Sequence, residues 1–181
     1  VAGPAHEERG SHAALEQAMR EGIARGEFVL HYQPIVDLAS RSVQSLELLT
    51  RWNHPQRGLC APAHFIALAE ASGLVGPMML SVLRQACTDL PRFPAHWRLS
   101  INLAPQQILD ATLVPQLVAL LNEHGVPPPR LDVELTETAL VSDTARARQV
   151  MQAMKDAGIT VTLDDFGTGY SSLCYLAEMS F

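Results

Sequence analysis

The second half of the chain alternates strand-like and helix-like segments, and this order limits the possible folds more than any other feature. Helical spacing of apolar residues predicts helices over Pro77–Leu90, Thr112–His124 and Asp143–Ala157. Alternating apolar residues predict strands over Arg98–Ala104, Arg130–Glu137 and Ile159–Asp165. Strands that alternate with helices of this length form a parallel sheet or a barrel, so we predict an α/β fold.

The first half of the chain predicts a different opening to the sheet. A helix is predicted over Ala13–Arg25, and strands over Glu27–Leu38 and Val43–Trp52. The two strands are separated by the short segment ASRS, which is typical of a hairpin and favours an antiparallel pair. A further helix over Pro62–Ser72 has proline at a suitable first position and is followed by a glycine.

Three of the predicted strands have one apolar face and one polar or small face. The apolar faces carry Leu99, Ile101 and Leu103; Leu131, Val133 and Leu135; and Ile159, Val161 and Leu163. The opposite faces carry Ser100 and Asn102; Asp132, Glu134 and Thr136; and Thr160, Thr162 and Asp164. Helices cover both faces of an ordinary parallel sheet but only the outer face of a barrel. Polar residues on three successive inner faces therefore indicate a barrel with a functional site.

Oxygen-bearing side chains lie toward the C-terminal ends of these strands, where β/α barrels carry their active sites. They are Glu47, Asn102, Glu134 and Asp164, with Asp165 following. Carboxylate and amide oxygens favour Mg²⁺ or Mn²⁺ over zinc, and none of the 7 histidines has HExxH spacing. About four negative charges match two divalent ions, so we predict a two-metal phosphodiester-cleaving site. In it Asp164 bridges the ions, and Asp165 belongs to the second ion.

Each of these residues also has a structural interpretation. Two adjacent aspartates are typical of a strand end followed by a helix cap, although three further donors on matched strand ends favour the metal site. Arg51 shares a strand face with Glu47, and the two could form an ion pair. Asn102 could be an interior hydrogen-bonding residue.

Composition and charge exclude several classes of function. The net charge is −6, with 13 basic and 19 acidic residues and no basic run, which argues against a polymeric nucleic acid as partner. No apolar stretch approaches the length of a membrane span. Three widely spaced cysteines indicate reduced thiols in a cytoplasmic protein. Residues 1–12 are interpreted as a polar tail before one domain over residues 13–181.

Several motifs, in the same order, resemble the EAL domain of bacterial cyclic-di-GMP phosphodiesterases. They are LHYQPIVDL, ELLTRWNHPQRG, FIALAEASGL, INLAPQQIL, LDVELTETAL and LDDFGTGYSSLCYL. The name-giving triplet is Glu47-Leu48-Leu49, with leucine where alanine is usual. The resemblance runs from about Ala14 to the last residue. It implies a modified TIM-type β/α barrel whose first strand is antiparallel.

The resemblance also implies an activity and a set of site residues. The activity is hydrolysis of cyclic di-GMP to linear pGpG with Mg²⁺ or Mn²⁺. The implied metal ligands, which are also the catalytic residues, are Glu47, Asn102, Glu134, Asp164 and Asp165. Arg51 matches a residue that contacts a substrate phosphate, and Gln33 one near the bound nucleotide. Glu137 matches the anchor of the family's loop at Phe166–Ser172, which communicates between subunits of a homodimer, but it could equally cap the following helix.

The family's pattern continues beyond Phe181. Its later strands supply a lysine, a glutamate and a glutamine, so about five of the eight barrel strands are expected in this N-terminal portion of the domain. Open sheet edges would then favour association. EAL domains commonly have a sensory or GGDEF neighbour. The alternative function is a non-catalytic module that binds cyclic di-GMP or another protein, and the missing lysine favours it for this chain, whereas the retained ligands favour an enzyme.

Overall fold

One mixed sheet organises the part of the chain that the computed structural model describes, which is residues 4–136 and 143–164; side chains are described over 12–136 and 143–163. The helices in these ranges are α1 Pro4–Ala24, α2 Ile66–Ala71, α3 Val75–Asp89, α4 Leu113–Glu123 and α5 Thr144–Asp156. The strands are β1 Phe28–Asp37, β2 Ser42–His54, β3 Gly58–Cys60, β4 Arg98–Leu103, β5 Leu131–Thr136 and β6 Thr160–Asp164. Within these ranges no helix combines the length and apolar character that crossing a membrane requires.

The sheet has the parallel order that the alternating sequence predicts. Its strands follow the order β1-β2-β4-β5-β6, and β3 pairs with β2 outside that path. The pairs β2–β4, β4–β5 and β5–β6 are parallel, whereas β3 is antiparallel to β2. Strands β1 and β2 are neighbours joined only by residues 38–41, which is too short for a parallel crossover. They therefore form the predicted antiparallel hairpin.

Two boundaries, one strand and one helix differ from the sequence prediction. The helix predicted over Pro62–Ser72 is a 3₁₀ turn over Pro62–His64 followed by the short helix α2. Strand β2 continues past Trp52 to His54 because a turn over residues 55–57 brings the short strand β3, which begins at Gly58, back beside it. Gly58 has a φ of 70°, a conformation that glycine adopts without steric cost. Helix α1 begins at Pro4, inside the segment interpreted as a tail, since proline and the following glutamates suit a helix start.

The alternation of strand faces is confirmed for β4 and β5, whereas Val161 and Leu163 of β6 are only partly buried. The apolar faces of β4 and β5 are buried, with relative exposures of 0–3% for Leu99, Ile101, Leu103, Leu131, Val133 and Leu135. By strand alternation the polar residues of β4 and β5, with Thr160 and Thr162 of β6, lie on the other face. This inner face carries the candidate functional residues.

The chain divides into two compact units, each described by itself: Val1–His31 with Thr50–Gln85, and Tyr32–Leu49 with Ala86–Phe181. An aromatic cluster holds the first unit together. Trp52 is 2% exposed and stacks on Phe28 with ring centroids 5.1 Å apart. Phe65 packs edge-on against both rings, with centroid distances of 5.5 Å and 6.1 Å.

Glu27 fixes the edge of this cluster. Its Oε2 accepts a hydrogen bond of 3.1 Å from Trp52 Nε1, and its Oε1 accepts one of 2.8 Å from Arg25 Nε. A Cβ on Gly22 of α1 would lie 2.8 Å from Glu27 Oε2 and 3.0 Å from Trp52 Nε1, so α1 approaches this pair as closely as only glycine allows. The Trp52 hydrogen bond, and then Arg25, lower the pKa of Glu27.

A Glu27→Gln variant should therefore be less stable than the wild type at neutral pH but not in acid. A carboxylate whose pKa is lowered on folding contributes stability above its unfolded pKa, and loses that contribution as the pH falls through the folded pKa. We expect a loss below about 1 kcal/mol at neutral pH that disappears at an acid pH below the lowered pKa of Glu27. Urea unfolding of the full-length protein at both pH values checks this. An equal loss at both values would contradict the electrostatic explanation.

Candidate active site

The inner face of the second unit brings the predicted site residues onto neighbouring strands. Asn102 of β4 pairs in register with Glu134 of β5, so their Cα atoms lie side by side across the parallel pair. Glu47 of β2 pairs with Ser100 of β4, which lies two residues nearer the N-terminal end of β4 than Asn102 does. Asp164 ends β6 opposite Thr136 of β5. Three strands thus contribute a predicted residue with a described side chain to one face, and the backbone of Asp164 ends a fourth strand beside them.

Asn102 joins two of these strands through its side chain. Its amide nitrogen Nδ2 donates a hydrogen bond of 2.9 Å to Glu47 Oε1. Asn102 is exposed and Glu47 is partly exposed, so a ligand from solvent can reach both. Since Nδ2 of Asn102 donates to Glu47, the acceptor atom that the amide can offer to a ligand is Oδ1. Glu47, Asn102 and the register partner Glu134 therefore form one set of oxygen donors.

Glu134 is held from the same strand by a different donor. The hydroxyl of Ser100, a residue 1% exposed, donates a hydrogen bond to Glu134 Oε1. The sequence placed Ser100 on the inner face but gave no reason to connect it with Glu134. The sequence feature that could have indicated Ser100 as a site residue is its position two residues before Asn102, because this spacing puts both side chains on one face of the strand.

A second carboxylate of β5 belongs to the same face but not to the donor set. Asp132 is 5% exposed and forms an ion pair of 3.0 Å between its Oδ2 and Arg98 Nε. Burial raises the pKa of Asp132, while the Arg98 guanidinium and the hydroxyl of its register partner Thr160 act in the opposite direction. Asp132 thus has its own fixed cation and is interpreted as a structural residue.

Several predicted residues lie wholly or partly outside the described ranges. These are Asp165 and Glu137, of which nothing is described, and Asp164, whose backbone alone is described. Among the side chains over 12–136 and 143–163, no three histidine, cysteine, aspartate or glutamate residues form a group that could hold a metal. The predicted two-metal site therefore remains a prediction in its complete form.

The two predicted substrate-binding residues lie on different strands. Gln33 is exposed on β1, in the second unit. Arg51 is partly buried on β2, in the first unit, and its Nη1 donates a hydrogen bond of 2.9 Å to the carbonyl oxygen of Thr50. One guanidinium donor out of five is used in this bond, so the side chain can still bind an anion.

The donors described fit a hard divalent cation. Carboxylate and amide oxygens are the ligands that Mg²⁺ and Mn²⁺ favour, whereas zinc and copper favour imidazole and thiolate. Glu47 and Asn102 are already within hydrogen-bonding distance, and Glu134 is next to Asn102 in register. The chemistry of the set is therefore compatible with the cation that the sequence predicts.

The comparison with known families identifies the protein family of this chain. A family model described as the EAL domain matches residues 16–181. The chain belongs to the EAL domain family. The match contains every predicted site residue, and it begins within α1.

Relatives of this EAL domain are found among curated proteins and solved structures. Cyclic di-GMP phosphodiesterase NbdA of Pseudomonas aeruginosa is 37% identical over 169 residues, which is 91% of this chain. The structure of MucR phosphodiesterase from the same organism, a c-di-GMP complex, has a TM-score of 0.82 and 34% identity over 92% of this chain and 69% of that chain. The EAL enzyme Bd1971, in a form with cAMP and cyclic-di-GMP bound, has a TM-score of 0.84 and 31% identity over 96% of this chain and 49% of that chain.

These likenesses confirm the predicted fold class, a modified TIM-type β/α barrel. The chain spans 22% of the length of NbdA and 24% of the length of MucR. The family and the fold of this EAL domain are therefore established.

Proposed function

We propose that this EAL domain is the catalytic part of a metal-dependent phosphodiesterase that hydrolyses cyclic di-GMP to linear pGpG. The observation that carries the proposal is the hydrogen bond between Asn102 and Glu47, next to Glu134 in register. It supports a ligand set drawn from three strands at one face of the sheet. The cyclic di-GMP in the names of the related proteins supports the choice of substrate.

In this proposal the cations are Mg²⁺ or Mn²⁺. Glu47, Asn102 and Glu134 hold them together with Asp164 and Asp165. Two bound divalent cations supply a water of lowered pKa and balance the charge of the phosphate. The protein's own contribution is to hold the ligands in place before the cations and substrate arrive. Asn102 does this for Glu47, since its amide fixes one carboxylate oxygen by a 2.9 Å hydrogen bond.

The proposal is tested by incubating the full-length protein with cyclic di-GMP and Mn²⁺ and separating the nucleotides by chromatography. Linear pGpG that forms with Mn²⁺ but not with a chelator is the expected result. Tight binding of cyclic di-GMP without any product would contradict the enzyme and favour the non-catalytic module. Equal cleavage of other phosphodiesters would contradict the substrate assignment.

Arg51→Ala should weaken the affinity for cyclic di-GMP about 10- to 100-fold, because a hydrogen bond between charged groups contributes about 1.5–3 kcal/mol. Titration calorimetry with Ca²⁺ in place of Mn²⁺ measures the affinity without turnover. Arg57→Ala is the matched control, since Arg57 is an exposed arginine near the turn between β2 and β3. The same loss in both variants would indicate an effect of net charge, not of a phosphate contact.

A further inference from the structure

Three polar residues alternate along the inner face of β4, and each is bonded to a different carboxylate. Arg98 forms the ion pair with Asp132. Ser100 donates to Glu134, and Asn102 donates to Glu47. The one cationic side chain of β4 thus pairs with Asp132. The two carboxylates of the proposed cation site, Glu47 and Glu134, each accept a hydrogen bond from a neutral side chain of β4.

This division has an electrostatic consequence. A guanidinium beside Glu134 would balance its charge and compete with a divalent cation for the same oxygens. A hydroxyl donor fixes one carboxylate oxygen and leaves the net charge at −1. A carboxylate has about four acceptor sites, so the hydrogen bond from Ser100 is compatible with cation binding. The neutral donor therefore orients Glu134 without neutralising the charge that attracts a metal.

Ser100 is well placed to orient a longer side chain. Its hydroxyl is set by a single torsion, and the residue is 1% exposed, so water does not compete for its hydrogen bond. The backbone on both sides is fixed by the continuous register from Leu99↔Leu131 to Leu103↔Leu135. Glutamate has three side-chain torsions and loses much rotamer freedom when a ligand orders it. A hydrogen bond that already orients Glu134 in the free protein means that less rotamer freedom is lost when the cation binds.

We propose that Ser100 is a positioning residue of the cation site: its hydroxyl holds Glu134 in the orientation that binds the metal. This inference rests on the proposed function, because it assumes that Glu134 is a ligand. Hydrogen-bonding partners of metal ligands typically contribute a factor of about 10–100 to metal affinity or activity. Ser100 is expected to act within that range.

The test measures Mn²⁺ affinity of the full-length protein by electron paramagnetic resonance, without substrate. Ser100→Ala should bind Mn²⁺ about 10-fold more weakly than the wild type or worse. Ser100→Thr keeps the hydroxyl at a strand position that accepts β-branched side chains, so its affinity should return to within about 3-fold of the wild type. Ser100→Cys, with a similar size but a weaker donor, should fall between the two.

Ser45→Ala is the matched control. Ser45 is 3% exposed on β2 and pairs with Arg98, so it is an equally buried serine one step away from the site. It should bind Mn²⁺ like the wild type. Equal affinities of Ser100→Ala and the wild type would overturn the inference, as would an equal loss in Ser45→Ala, which would indicate general loosening of the sheet. If the wild type itself binds no Mn²⁺, the proposed function fails instead.

Discussion

Glu47→Gln should reduce the Mn²⁺-dependent hydrolysis of cyclic di-GMP about 1,000-fold and leave the fold intact. The glutamine side chain has the same shape and keeps a carbonyl oxygen that can accept the hydrogen bond from Asn102 Nδ2. It loses the negative charge, which is what binds a hard cation. A factor of 1,000 corresponds to about 4 kcal/mol in the activation free energy, which is in the range of electrostatic stabilisation by a metal. Chromatography of pGpG formation gives the rate.

Glu16→Gln is the control for this prediction. Glu16 lies on α1 and forms an exposed pair with Arg20, so the variant removes the same charge without touching the inner face of the sheet. Its rate should equal that of the wild type, and both variants should have the same melting temperature as the wild type. A Glu47→Gln rate within about 10-fold of the wild type would contradict the ligand assignment.

The strand faces could be predicted from sequence because they depend on a local pattern. The alternation of Leu99, Ile101 and Leu103 with Ser100 and Asn102 fixes which side of β4 is buried, whatever the strand pairs with. The same holds for the parallel order of β4, β5 and β6, since intervening helices leave few other connections. Local signals therefore determined the fold class and the face of the site.

The hydrogen bonds across strands could not be predicted, because they depend on register. Ser100 pairs with Asp132 in register but donates its hydrogen bond to Glu134, which lies two residues further along β5. Asn102 pairs with Glu134 but donates to Glu47. The alternating pattern of a six-residue strand excludes a slip of one residue, which would reverse its faces, but it does not distinguish offsets that differ by two residues. The sequence predicts Glu47, Asn102 and Glu134 as site residues. The structure adds that Asn102 donates a hydrogen bond to Glu47 and that Ser100 donates one to Glu134.

The short strand β3 was missed for a related reason. It contains only Gly58, Leu59 and Cys60, which is too few residues for an alternating pattern. Its pairing with Trp52, Asn53 and His54 extends β2 beyond the predicted end. The extension fixes the backbone next to Arg51, the residue that we propose contacts a substrate phosphate. A tertiary pairing, not local propensity, therefore sets this boundary.

Trp52→Ala should have the largest effect on stability, a loss of about 3–5 kcal/mol. The indole is 2% exposed, stacks on Phe28 at 5.1 Å and donates to Glu27 at 3.1 Å, so truncation removes apolar burial, ring packing and a hydrogen bond together. Urea unfolding of the full-length protein measures the loss.

Trp97→Ala makes the same truncation at a partly buried tryptophan whose ring lies 5.9 Å from Phe93, and it should lose less stability than Trp52→Ala. An equal or larger loss in Trp97→Ala would contradict the central role of the Trp52 cluster.

Trp52→Phe should also weaken the binding of cyclic di-GMP if the variant is measurably destabilised. Trp52 follows Arg51 directly, and its side chain lies on the face of β2 opposite to the proposed phosphate contact, so the effect would come through the backbone position of Arg51. Unchanged affinity in a measurably destabilised Trp52→Phe would show that the position of Arg51 does not depend on this cluster.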